Sequence, residues 1–163
     1  MKTSTGRMAA QLLIAASALL SLPVLAHGDV TPQAVDTATL KALGEDWREE
    51  NPYRGDKEAI RIGSSAYGQN CARCHGLEAV SGGIAPDLRQ LDRDCVSQKD
   101  EKKKQACYKE NDAYYLTSIR HGKTRNGAVY MPPFEGIMNQ EGMWSIKAYL
   151  ETLRVMPAVT AAK

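Results

Sequence analysis

The chain lacks a long apolar run, an excess of either charge, strand-like alternation and a second Cys-x-x-Cys pair. Each absence excludes something. A bilayer-spanning helix needs about 20 apolar residues, and the apolar core from Leu12 to Leu22 is too short for that. It follows Lys2 and Arg7 and runs into Pro23 and then Val24-Leu25-Ala26, with small residues at the −3 and −1 positions. That is the pattern of a secretory signal peptide, with cleavage expected after Ala26. The mature chain of 137 residues would begin at His27, with no stable membrane insertion. Residues 1–26 hold two basic residues and no acid, so 19 basic and 19 acidic residues remain. A nucleic-acid binder would need a basic excess, so no nucleic-acid partner is expected. An exported chain of this kind is expected in the periplasm, where cysteines can pair.

No segment alternates apolar and polar residues as a strand does, and no internal repeat is visible, so the expected class is all-α. Residues 27–56 read as an N-terminal extension. Leu40, Leu43 and Trp47 predict one short amphipathic helix there, stopped by Asn51-Pro52. A single domain is expected over 57–154. Asp56 can cap a helix over 57–70, with Ala59, Ile62 and Ala66 on one stripe. Gly63 breaks that helix's local preference and marks either close approach of another helix or plain fraying. Residues 76–94 read as loop, and the charged run 98–104 as a solvated loop. Asp112 is expected to cap a helix through Tyr115, Leu116 and Ile119, ended by Gly122. A second Gly- and Pro-rich loop follows. Asn139 is expected to cap a last helix that buries Met143, Ile146, Leu150 and Leu153, with Tyr149 beside them. Residues 155–163 read as a C-terminal tail. A few short helices joined by two long loops make a poor plan for a compact domain. A large apolar cofactor at the centre would explain them.

Residues 69–76 read QNCARCHG. Zinc needs four ligands, commonly from two knuckle pairs, and Cys95 and Cys107 form no second knuckle. A redox dithiol belongs beside a βαβ pattern, which is absent. Cys-x-x-Cys-His is the signature of c-type haem attachment. Cys71 and Cys74 would each bond one haem vinyl group, and His75 would be the proximal iron ligand. Such a histidine usually donates its other N–H to an oxygen. Pro86, eleven residues on, can bring its carbonyl there. For the sixth ligand, Met131 lies in YMPPFEG, where two prolines stiffen the loop. Met138 is the second choice, and His121 and His27 are rivals. Met143 falls on the core stripe and Met156 in the tail. Cys95 and Cys107 are expected to form a disulfide that closes the charged loop between them.

On these motifs the chain resembles the class I cytochromes c over residues 57–154. The likeness rests on Gly63 and Tyr67 before the Cys71–His75 motif, on Ala85-Pro86-Asp87-Leu88, on Met131-Pro132, and on Trp144 and Tyr149-Leu150. It implies short helices packed around one covalently bound haem c, with the first and last helices crossing where Gly63 and Tyr67 meet Tyr149. It also implies His75 and Met131 as axial ligands, with the Pro86 carbonyl buttressing His75. The segments HGDVTPQAVDT, GEDWREENPYR and CHGLEAVSGGIAPDLR are similar to the PedF type of soluble periplasmic cytochrome c. That likeness implies a quinoprotein (PQQ-dependent) alcohol dehydrogenase as electron donor, with a terminal oxidase or another cytochrome as acceptor. The lysine-rich segment between Cys95 and Cys107 departs from that type. The expectation is an electron carrier and no enzyme. The alternative is a haem enzyme or sensor with an open iron site.

Overall fold

A computed structural model describes residues 31–156 apart from 82 and 84. The expected signal peptide, His27 and the end of the tail lie outside the described residues. The elements in chain order are α1 Lys57–Asn70, α2 Ala72–His75, a 3-10 turn Leu88–Gln90, α3 Arg93–Val96, α4 Glu101–His121, β1 Lys123–Arg125, β2 Ala128–Met131 and α5 Gln140–Thr152. Among the described residues no helix is long and apolar enough to cross a membrane.

The central contact is α1 against α5. Asp56 caps α1 by accepting from the Ala59 amide at 2.9 Å, and Asn139 caps α5 by accepting from Gly142 at 3.0 Å. Both caps are where the sequence places them. Ala59, Ile62, Ala66 and Tyr67 of α1 are buried, as are Met143, Trp144, Ile146 and Leu150 of α5. A Cβ on Gly63 would stand 1.9 Å from the Ser145 carbonyl oxygen. The mid-helix glycine therefore permits close approach, which decides between its two readings. The Tyr67 and Tyr149 rings pack beside it with centroids 5.5 Å apart.

Five local expectations need correction. The segment 76–94 is not loop throughout, since it holds the 3-10 turn Leu88–Gln90 and the start of α3 at Arg93. The segment 98–104 is not a loop beyond Asp100. Asp100 accepts from the Lys102 and Lys103 amides at 2.9 and 3.1 Å and starts α4 at Glu101. Lys, Glu and Gln are good helix formers, so the charges sit around the exposed first turn of a helix. Asp112 consequently caps nothing. It sits in the middle of α4, fully buried, and its carboxylate is taken by the Asn51 amide at 2.8 Å and by Arg54 at 2.7 Å. The helix expected over Leu40–Trp47 does not form, and residues 31–56 are turns and extended chain. Side chains of α5 take over the backbone there. Glu141 accepts from the Leu43 amide at 2.8 Å, and Gln140 donates to Gly44 and Asp46 carbonyls at 2.7 and 3.1 Å. Finally, β1 and β2 form an antiparallel hairpin. Asn126 and Gly127 at its turn have φ of 51° and 79°, the conformation of a two-residue hairpin turn. The strands expose all their residues except Met131, so no alternation marks them.

Candidate haem site

Cys71 caps both the end of α1 and the start of α2. Its amide donates to Tyr67 O at 2.8 Å, and its carbonyl accepts from His75 N at 3.0 Å and Cys74 N at 3.1 Å. The turn is clamped by the Tyr67 hydroxyl, which donates to Gly76 O at 2.7 Å. This tight turn puts Cys71, Cys74 and His75 on the wall of one cavity of about 370 Å³. That size lies within the usual range for small-molecule and cofactor sites. Apolar side chains, among them Ile119, Phe134, Ile146 and Leu150, supply most of the rest.

His75 is 9% exposed, and its Nδ1 lies 2.9 Å from the Pro86 carbonyl oxygen. A carbonyl only accepts, so Nδ1 carries the proton and donates. The Nε2 lone pair is left free for a metal. The loop that delivers Pro86 is closed by Leu88 N donating to Ala79 O at 3.2 Å and by a Ser81–Ala85 hydrogen bond. Next to Pro86, Asp87 takes both arms of Arg89, at 3.0 and 2.7 Å, which holds its carboxyl below the usual range.

Met131, half-buried at the end of β2, also lines this cavity. The other sixth-ligand candidates do not. Met138 is buried, but it lines a separate groove with Gly44 and Trp47. His121 has its side chain 57% exposed, with Nδ1 3.4 Å from Glu135. Met143 is wholly buried away from the cavity, and Met156 is 61% exposed. The fold thus brings Cys71, Cys74, His75, Pro86 and Met131 together.

The donor set suits a haem and not zinc. No group of three or more His, Cys, Asp or Glu side chains is placed to hold a metal ion among the described residues. Cys71 and Cys74 are not bonded to each other. One oriented imidazole, one thioether and two thiols around an apolar cavity fit a covalently attached haem.

Cys95 and Cys107 do form a disulfide, which ties α3 to α4. Sequence reasoning missed other cavity residues. Tyr114, Tyr115, Ser118 and Ile119 form one face of α4, and Lys123 and Tyr130 come from the hairpin. The Asn126-Gly127 pair was the usable signal for the hairpin. For Tyr114 and Ser118, spacing i, i+4 on a helix was the signal.

Residues 58–150 match the family described as "Cytochrome C oxidase, cbb3-type, subunit III". Over 148 residues the chain is 49% identical to cytochrome c550 of Pseudomonas aeruginosa, covering 88% of this chain and 92% of that one. Two matches are short. One is 44% identical over 43 residues to the quinohemoprotein alcohol dehydrogenase ADH IIB of Pseudomonas putida, 26% of this chain and 6% of that protein. The other is 50% identical over 36 residues to the quinohemoprotein alcohol dehydrogenase ADH-IIG of Pseudomonas putida, 22% of this chain and 5% of that one. No solved structure matches the chain significantly.

Proposed function

Since this chain belongs to the cytochrome c family, and is therefore an electron carrier of class I fold with covalently bound haem c, we propose that it works in the periplasm. Its donor would be a quinoprotein (PQQ-dependent) alcohol dehydrogenase, and its acceptor a terminal oxidase or another cytochrome. Residues 1–26 would direct export, and 27–56 would be an extension of the domain 57–154.

The observation that carries the reading is the shared cavity wall. Cys71 and Cys74 would hold the haem, and His75 Nε2 and the Met131 sulfur would hold its iron. The Pro86 carbonyl keeps His75 in the one tautomer that can do so. When bound, the haem supplies one-electron exchange between ferric and ferrous iron. Two protein ligands would raise the potential and leave no position for oxygen or peroxide, which favours carrying electrons over catalysis. The apolar walls keep water away from that centre. Tyr114 and Tyr130, 58% and 52% exposed, reach from the cavity lining to the surface and offer a partner access to it. The likeness of short segments to quinohemoprotein alcohol dehydrogenases supports the choice of donor.

Stopped-flow mixing of the mature holoprotein with a reduced PQQ alcohol dehydrogenase tests the donor. Reduction at least ten times faster than with an unrelated dehydrogenase is expected. Equal rates would remove the specific donor and leave the carrier function untouched.

A further inference from the structure

We propose that Gly122 is a positioning residue for the sixth iron ligand: it leaves room for the Met131 main chain to sit where the thioether meets the cavity. The proposal rests on Met131 being that ligand. Gly122 ends α4 with φ 67° and ψ −167°. A Cβ there would stand 2.3 Å from the Met131 carbonyl oxygen, and 2.8 Å from both Pro132 C and Pro133 N. All three are backbone atoms, so no side-chain rotation relieves the overlap. Ordinary contact begins at 3.4 Å, so a methyl group would drive the two segments apart by about an ångström.

The Met131 segment cannot yield elsewhere, because it is fastened on two further sides. Phe134 N donates to Ile119 O at 3.0 Å and Glu135 N to Arg120 O at 3.2 Å, which occupies carbonyls at the end of α4. The Glu135 carboxylate binds Arg120 at 2.7 Å. Before the loop, Met131 pairs with Lys123 across the hairpin. Between these anchors lie Pro132 and Pro133, whose φ angles are fixed. Helix end, hairpin and Met131 therefore form one rigid body, and Gly122 is its contact point. A ligand constellation tolerates displacement of about 0.5 Å before it loosens, less than the methyl group demands.

The test compares G122A with G136A in the mature holoprotein. Gly136 has φ 85° with nothing within 4 Å of a built Cβ, so G136A carries the left-handed strain and presses on nothing. The readouts are the Met-to-iron absorption of the ferric protein, the reduction potential, and carbon monoxide binding by the ferrous protein. G122A is expected to lose most of that absorption, to lower the potential, and to bind carbon monoxide at least ten times faster. G136A is expected to match wild type on all three. Wild-type absorption and potential in G122A would overturn the proposal. If M131A itself keeps the wild-type absorption, the ligand assignment fails instead, and the proposal with it. Should G122A not fold, G122A/P133G gives the segment room to retreat. It is expected to fold with weaker absorption than P133G alone, which sets the baseline for the loosened loop. Absorption in the double variant equal to that of P133G alone would equally overturn the proposal.

Discussion

Three buried phenols contribute stability that this fold loses at alkaline pH. The hydroxyls of Tyr53, Tyr67 and Tyr115 donate to the carbonyls of Lys41, Gly76 and Met143. Burial, in each case the largest cause, pushes Tyr53 up to about 12 and raises Tyr67 and Tyr115 as well. A folded state that keeps its protons longer than the unfolded chain is at full strength below the unfolded pKa, near 10 for tyrosine. Above that, the unfolded chain binds fewer protons and stability falls as pH rises. The urea midpoint is therefore expected to be flat from pH 7 to 9 and to drop above pH 10, with a shallower drop in Y67F. A midpoint unchanged at pH 11 would remove this account. Single residues also mark where sequence reading succeeds. Gly63 could be read because it violates helix preference on an otherwise apolar stripe. Asp112 could not, since its partners Asn51 and Arg54 lie 61 and 58 residues away. A short polar residue before an apolar run looks like a cap whether or not a distant cation claims it.

Among the elements, α1 and α5 were legible because each has a side-chain cap and one apolar stripe. Helix α4 was legible only in its second half. Its first half carries Lys102, Lys103 and Lys104, all charged and turned to solvent or its margin, and so shows no periodicity. What holds that half down is covalent. The Cys95–Cys107 bond fastens it to α3, and Asn111 donates to Leu91 O at 2.6 Å just beyond. A crosslink of this span contributes about 3 kcal/mol in the chain-entropy model. Replacing both cysteines with alanine is expected to lower unfolding stability by roughly that amount, measured in urea. The haem spectrum is expected to stay unchanged, because neither cysteine lines the cavity. A spectral shift would mean that α3 and α4 bear on the iron after all. The haem motif was the most legible part of the chain, being local in sequence. The hairpin beside Met131 was the least, its strands being three and four residues long and exposed.

At the scale of the whole molecule, one buried ionic cluster joins parts that share no local sequence. Lys147 on α5 is fully buried, with Nζ 2.5 Å from Asp92, 3.4 Å from Asp112 and 3.3 Å from Glu151. Arg54 from the extension binds Asp112 and Glu151 at 2.7 and 3.0 Å. Arg154, past α5, reaches Asp92 at 3.3 Å. Three cations thus face three carboxylates, and the extension, the loop before α3, α4 and α5 all meet there. The overall charge balance could not reveal this, because it counts charges without placing them. Desolvating such a group costs so much that its net worth to stability is small, yet removing one member leaves its partners buried and uncompensated. Lys147→Met is therefore expected to cost about 3–5 kcal/mol, read from urea unfolding. D92N made in the same background removes one orphaned carboxylate and is expected to recover part of that loss. No member of the cluster lines the haem cavity, so K147M should keep the wild-type ferric and ferrous spectra at temperatures where it is folded. A K147M protein as stable as wild type would mean that Arg54 and Arg154, and not Lys147, offset the three acids. Altered spectra in the folded variant would mean that the cluster shapes the electron-transfer site as well as the fold around it.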